Sequence, residues 1–123
     1  MSGGREDGLP DAASLAQLEE GGLGLRFSLV SGAAAQSAPV PVGATRVPAF
    51  AVRYGGAVHG WINRCPHRGT ELDWAPGEFF DDERRHLVCA THGALFEPDT
   101  GLCVAGPCRG QRLLPVVLVP PIV

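Results

Sequence analysis

The sequence predicts an all-β chain of many short strands in small sheets, with its chemically interesting residues on the loops between them. Three observations predict it. No long helical periodicity occurs after residue 22, apolar and polar residues alternate in short runs, and glycine and proline turn signals separate those runs.

Residues 1–22 are rich in Gly, Asp, Glu and Ala, and their one helical hint is "SLAQLEE". There Ser14 and Gln17 have capping-box spacing, and Leu15 and Leu18 can share a face. Gly21 and Gly22 stop any helix within two turns, and two acids at its end oppose the helix dipole. The expectation for 1–22 is a short helix or a flexible tail, followed by one domain over 23–123.

In "LGLRFSLV", Leu25, Phe27 and Leu29 alternate with Arg26 and Ser28, so one face of this strand should be buried. Ser31 to Thr45 reads as a Gly/Ala/Ser/Pro loop. "FAVRYGGAVHGWIN" then places Gly55 and Gly56 between two β-rich runs, which is a hairpin signal because paired glycines accept positive φ. "APGEFFDDERR" is a charged, turn-rich excursion and "HLVC" a short strand. "ALFEPDTGLCV" reads as a second hairpin around Pro98 to Gly101, "AGPCRG" as a loop, and "RLLPVVLV" as a closing strand.

Bulk properties narrow the function. At 123 residues the chain suits one domain with a real core. A net charge of -3 argues against nucleic acid or an anionic membrane as partner, since either favours a basic face. The N-terminus lacks a basic region followed by an apolar one, and no apolar run approaches membrane-spanning length, so a cytoplasmic protein is expected. In a reducing compartment its four cysteines, Cys65, Cys89, Cys103 and Cys108, are expected as metal ligands or small buried groups before disulfides.

The chemistry concentrates at "NRCPHRGTELDW", where Cys65 and His67 stand two positions apart. After a gap of 21 residues comes "CATHG", with Cys89 and His92. Two thiolates and two imidazoles on two loops match a four-ligand metal site. Zinc is one reading, although zinc fingers usually pair like ligands within a loop, whereas here each loop mixes them. A binuclear iron centre is the other, with cysteines on one iron and histidines on the second.

On these residues the chain resembles the Rieske family of [2Fe-2S] proteins. "CPHRG" at 65–69 and "CATHGALF" at 89–96 look like its two cluster-binding loops, and "GPCRG" at 106–110 resembles its proline-containing third loop. Similarity runs from about Phe50 to about Leu114 and includes the "PDTG" turn. The resemblance implies a sandwich-like or barrel-like set of small antiparallel sheets with the cluster loops at one tip. It implies that Cys65 and Cys89 ligate one iron and His67 and His92 the other, with Pro107 over the centre. His59 and His86 fall outside the loops and are expected to be surface or packed side chains. Cys103 and Cys108 are expected to be partly buried thiols near the third loop, with a disulfide between them as an alternative. Trp61, Trp74, Phe79 and Phe80 are expected to pack the core or the loops. Arg64, Arg68 and Arg109 lie in or beside the loops, as solvated charges or partner-docking groups.

Two ferric irons, two sulfides and two thiolates sum to zero charge when both histidines are neutral. An all-cysteine cluster is negative, so imidazole ligation eases the addition of an electron. This accounts for Rieske potentials of about -150 to +300 mV against about -400 mV for plant-type ferredoxins. At this length, the mononuclear iron domain of a Rieske oxygenase is not expected. The expected function is a one-electron carrier between a reductase and an oxygenase or other acceptor, with protein redox partners and no substrate site of its own. The alternatives are a small Rieske-like subunit of an enzyme such as assimilatory nitrite reductase and, from another class, a structural zinc module.

High-potential members of the family carry an extra disulfide between the loops, and a serine and a tyrosine that hydrogen-bond the cluster sulfurs. Thr70, Thr91, Ala94 and Phe96 stand at those positions here. A charge-assisted hydrogen bond is worth about 1.5 to 3 kcal/mol, and 1.4 kcal/mol is about 59 mV for one electron, so lacking two lowers the potential on the order of 100 mV. Protein-film voltammetry should therefore find a midpoint toward the low end of the Rieske range, rising in the Ala94→Ser, Phe96→Tyr double variant. A wild-type midpoint well above zero contradicts this.

Overall fold

The computed structural model describes residues 6–30, 46–66 and 69–118. The loop expected over Ser31 to Thr45 lies outside the described residues, as do His67 and Arg68. In chain order the elements are β1 (Glu6–Asp7), α1 (Ala12–Ala16), β2 (Leu25–Val30), β3 (Arg46–Tyr54), β4 (Ala57–Ile62), β5 (Leu87–Val88), β6 (Leu95–Phe96), β7 (Cys103–Ala105) and β8 (Pro115–Val116). Among the described residues these make a five-stranded sheet, β1-β2-β3-β4-β8, and a three-stranded sheet, β5-β6-β7. The fold is nearly all β, as the sequence predicts. One pairing departs from the antiparallel expectation: β1 runs parallel to β2, with Glu6 opposite Phe27.

Alternation along β3 decides where the two cores lie. Phe50 and Val52 face the three-stranded sheet and the loops, where they join Trp61, Leu72, Phe79, Leu87, Phe96 and Leu113. Ala49 and Ala51 point the other way, toward Phe27 of β2 and Leu15 of α1. Successive strand side chains leave on opposite faces, so one strand serves as the wall between two apolar layers. On the helix side the small alanines cluster with Leu15 and Phe27, and Phe50 on the other side stacks on Phe79 with ring centroids 3.8 Å apart.

The segment before β2 is fastened to the β3–β4 hairpin. α1 is capped by Asp11, whose carboxylate accepts from Ser14 N at 2.8 Å. The cap therefore sits three residues before Ser14, the position that the capping-box spacing suggested, because the helix starts earlier and is shorter than "SLAQLEE". Beyond it, the Arg53 guanidinium donates to Leu18 O at 2.7 Å and to Leu15 O at 3.2 Å, the latter a carbonyl that also accepts from Leu18 N. Glu20 accepts from Gly55 N and Gly56 N, the two positive-φ residues of the hairpin turn. The amides of Gly56 and Gly55 hold the Glu20 carboxyl below its usual range. Its contribution is thus full above the ordinary glutamate range and lost as pH falls through the lowered value.

The excursion at 78–86 closes as a tight turn. Asp81 Oδ1 accepts from Arg85 N at 2.9 Å and from His86 N at 3.3 Å. Among the described residues the expected closing strand is short: Pro115–Val116 pairs on the outer edge of β4, where the missing proline N–H costs little, and Arg112 forms an isolated bridge with Leu102. Among the described residues no helix is long and apolar enough to cross a membrane.

The two sheets are joined at the β6–β7 turn. Trp61 of β4 donates its indole N–H to Pro98 O at 3.1 Å. Gly101, at φ 75°, lies beneath the same ring, and a Cβ there would meet Trp61 Cζ3 at 2.7 Å and Cη2 at 2.9 Å. Gly101→Ala should cost about 2 to 4 kcal/mol, through the left-handed backbone and the overlap together. Gly55→Ala, also at positive φ but with nothing within 4 Å, should cost about 1 kcal/mol. Urea unfolding of both variants checks the difference; equal losses would mean that the indole contact is not tight.

Candidate metal centre

The two cysteine loops leave the ends of β4 and β5 and close in the same way. Cys65 N donates to Thr70 O at 2.7 Å and Gly69 N returns to Cys65 O at 2.7 Å. Cys89 N donates to Ala94 O at 2.9 Å and Gly93 N returns to Cys89 O at 2.7 Å. In each loop the cysteine opens the turn, and a glycine four residues on takes positive φ, 77° at Gly69 and 74° at Gly93. A side chain with Cβ would be strained there, so glycine is what lets the chain turn back on its own cysteine. The histidine falls within the turn, at the third position of the first loop and the fourth of the second. A bond from Ala90 N to Leu72 O, 2.9 Å, ties one loop to the other.

Burial divides the donors by type. Cys65 and Cys89 are 1% and 0% exposed and belong to the core packed under β3. His92 is exposed, with Thr91 and Gly93 on either side. His67 lies outside the described residues. Among the described residues no three His, Cys, Asp or Glu side chains gather around a single ion position. Ala94 and Phe96 are fully buried, and the third loop reaches over the second at Gly106, where a Cβ would stand 2.8 Å from Ala94 Cα. Pro107 itself is exposed.

The family model of the Rieske [2Fe-2S] domain matches residues 30–120. The chain belongs to the Rieske [2Fe-2S] domain family. It is 37% identical over 54 residues to the oxidoreductase NdmD of Pseudomonas putida, a match that spans 44% of this chain and 8% of that protein. Its fold is similar to that of the ferredoxin of carbazole 1,9a-dioxygenase from Nocardioides aromaticivorans IC177, with a TM-score of 0.50 and 23% identity over 82% of this chain and 78% of that one.

A Rieske chain carries a [2Fe-2S] cluster, which supplies reversible one-electron chemistry. The residues present fit it: two cysteine sulfurs buried in the core and a histidine at the surface would supply the mixed sulfur and nitrogen ligation that such a centre takes.

The remaining expected residues fall in several places. His59 Nε2 lies 3.2 Å from Tyr54 O on β4, and His86 sits between Asp81 at 3.7 Å and Glu97 at 3.5 Å, both away from the loops. Trp61, Phe79 and Phe80 pack as expected, but Trp74 does not: it is 85% exposed. Its neighbour Asp73 is buried and accepts from Gly77 N at 3.0 Å. Cys103 and Cys108 are fully rather than partly buried, and none of the four cysteines is in a disulfide. Burial first, and then the Cys103 thiol beside it, push Cys108 up to about 12, so it stays a neutral thiol at physiological pH.

Sequence reasoning missed the buried polar support beneath the first loop. Asn63 donates to Asp73 Oδ1 at 3.0 Å and accepts from Leu72 N at 2.8 Å, while Asp73 Oδ2 takes Gly77 N at 3.0 Å. Arg26 of β2 approaches the same oxygen with Nε at 3.3 Å, an ion pair without hydrogen-bond geometry. The available signal was "INRC…ELDW", polar residues placed where strand alternation calls for apolar ones. Asn63→Ala leaves a buried amide and a buried carboxylate short of partners and should cost about 2 to 4 kcal/mol. Denaturant unfolding together with loss of visible cluster absorption checks this; an unchanged midpoint would remove Asn63 from the support.

Proposed function

We propose that this chain is a one-electron carrier that takes electrons from a reductase and hands them to an oxygenase or another acceptor, docking through the tip that bears the two loops. The observation that carries the proposal is the division of the donors: both sulfurs lie in the core, while His92 stands exposed at the edge. Electron transfer between proteins needs one side of the centre close to the partner and the rest shielded from water. His92, with His67 as its counterpart in the first loop, would form that near side, and Cys65 and Cys89 would anchor the far side. Around the tip, Arg64, Arg109 and Trp74 are exposed. Arginine and tryptophan are the residue types that most often anchor protein interfaces, which suits a partner offering carboxylates around an apolar centre.

In this reading Cys65, His67, Cys89 and His92 hold the cluster. The purified protein should contain two irons and two acid-labile sulfides per chain, and its reduced form should give the low average g-value of mixed nitrogen and sulfur ligation. Cys65→Ser and Cys89→Ser should each lose the cluster, and the Cys103→Ala, Cys108→Ala double variant should keep it. Zinc without iron, after anaerobic purification from iron-replete cells, would falsify the ligand assignment. Stopped-flow reduction by a flavoprotein reductase tests the carrier role: the rate should fall several-fold with rising salt, and Arg64→Glu with Arg109→Glu should slow it further. Co-elution of the native protein with a large enzyme as a fixed complex would favour the subunit reading instead.

A further inference from the structure

Two cysteines remain unused by the cluster, and they touch each other. Cys108 Sγ lies 3.0 Å from Cys103 Sγ, and Cys103 Sγ lies 3.2 Å from Ala105 O. A disulfide is about 2.05 Å long, so the sulfurs need to approach by only about 1 Å, within reach of small side-chain rotations. The backbone around them is already closed. Cys103 N donates to Gln111 O at 2.8 Å, Gly110 N to Cys103 O at 2.9 Å, and Gln111 N to Cys108 O at 2.8 Å. A covalent bond would therefore be added to a loop that holds both residues in register without it.

We propose that Cys103 and Cys108 are a reversible disulfide site that fastens the third loop onto the cluster. The oxidant class is a low-molecular-weight disulfide. One thiol, as thiolate, attacks a sulfur of that disulfide, forming a mixed disulfide and expelling one small thiolate. The second thiol then attacks the protein-side sulfur, closing the Cys103–Cys108 bond and expelling the other. Two electrons pass from the pair to the small disulfide, and the two thiol protons end on the two small thiols. A dithiol reductant reverses both steps.

The surroundings supply access and consequence. Both sulfurs are buried, but Gly106, Pro107, Arg109 and Gly110 around Cys108 are exposed, so a local opening of these few residues bares the thiol. Such an opening should make the reaction slow beside that of a surface thiol. Gly106 rests on Ala94 of the second cluster loop, so fixing the third loop holds a cover against the centre. Cys65, which also interacts with Cys108, is the competing sulfur, and iron ligation removes it from competition in the loaded protein.

The inference uses the cluster reading only to occupy Cys65 and Cys89, and its test reads the thiols directly. Cluster-loaded protein is incubated with oxidised glutathione, then denatured in alkylating agent and mapped by mass spectrometry. The expected result is a linked Cys103–Cys108 peptide and unlinked, alkylated Cys65 and Cys89. The visible spectrum should be retained before denaturation, the link should disappear after dithiothreitol, and iron release to a chelator should be several-fold slower in the oxidised form. In Cys103→Ser no link should form at Cys108. The proposal is overturned if both thiols remain fully alkylated after prolonged oxidation that modifies an added reference peptide. It is also overturned if Cys108 is found linked to Cys65, or if each thiol carries its own glutathione.

Discussion

Each cluster loop depends on a cysteine whose amide reaches forward five residues to a carbonyl, while its own carbonyl takes the amide of a glycine four residues on. In both loops this pair of short bonds goes with a thiol buried in the core, and in the second loop His92 stands exposed. The same closure recurs at the ends of β4 and β5, in segments more than twenty residues apart, and brings Cys65 and Cys89 into one core. Positive φ at Gly69 and Gly93 is the backbone condition for both.

The loops need a floor, and β3 provides it. Its alternation sends Phe50 and Val52 under the cysteines and Ala49 and Ala51 toward α1, so the strand that walls the metal pocket also carries the helix-side core. Arg53 and Glu20 then lock the N-terminal segment to the hairpin at the far end of β3 and β4 from the metal loops. Beneath the first loop, a carboxylate shared among an asparagine, a backbone amide and an arginine replaces apolar packing. Buried polar groups of this kind are stable only when fully partnered, and they fix position more strictly than apolar contacts do. A redox centre gains from that, since the distance from the exposed edge to a partner sets the rate of transfer.

Much of this was legible in the sequence, because the features concerned are local. Period-two alternation is a property of neighbouring residues, and it located β2; the β-rich runs on either side of Gly55–Gly56 located β3 and β4, and the Pro98–Gly101 turn announced the second hairpin. The C-x-H and C-x-x-H spacings pointed to a metal with mixed ligation, and resemblance to a known pattern named the family. What was misread was also local in origin. Ser14 had the spacing of a helix cap, yet Asp11, three residues earlier, caps the helix and Leu15 is the residue that it buries. Trp74 was expected to pack the core or the loops, and it stands exposed in an irregular segment where no strand periodicity fixes which side chains face inward.

By itself, then, the sequence determined much of the strand pattern, the turn positions and, through resemblance, the family and the class of its centre. Each of these is encoded in residue type and short spacing. Only the tertiary structure decided which cysteines are neighbours, that β1 joins its sheet in parallel, that Arg26 and Asp73 meet beneath the first loop, and that Cys103 and Cys108 stand sulfur to sulfur. Most of those contacts join residues far apart along the chain, while Cys103 and Cys108, five residues apart, meet because the third loop closes back on β7. They follow from how two sheets fold across a shared wall, and this is set by the summed burial of side chains far apart in the sequence.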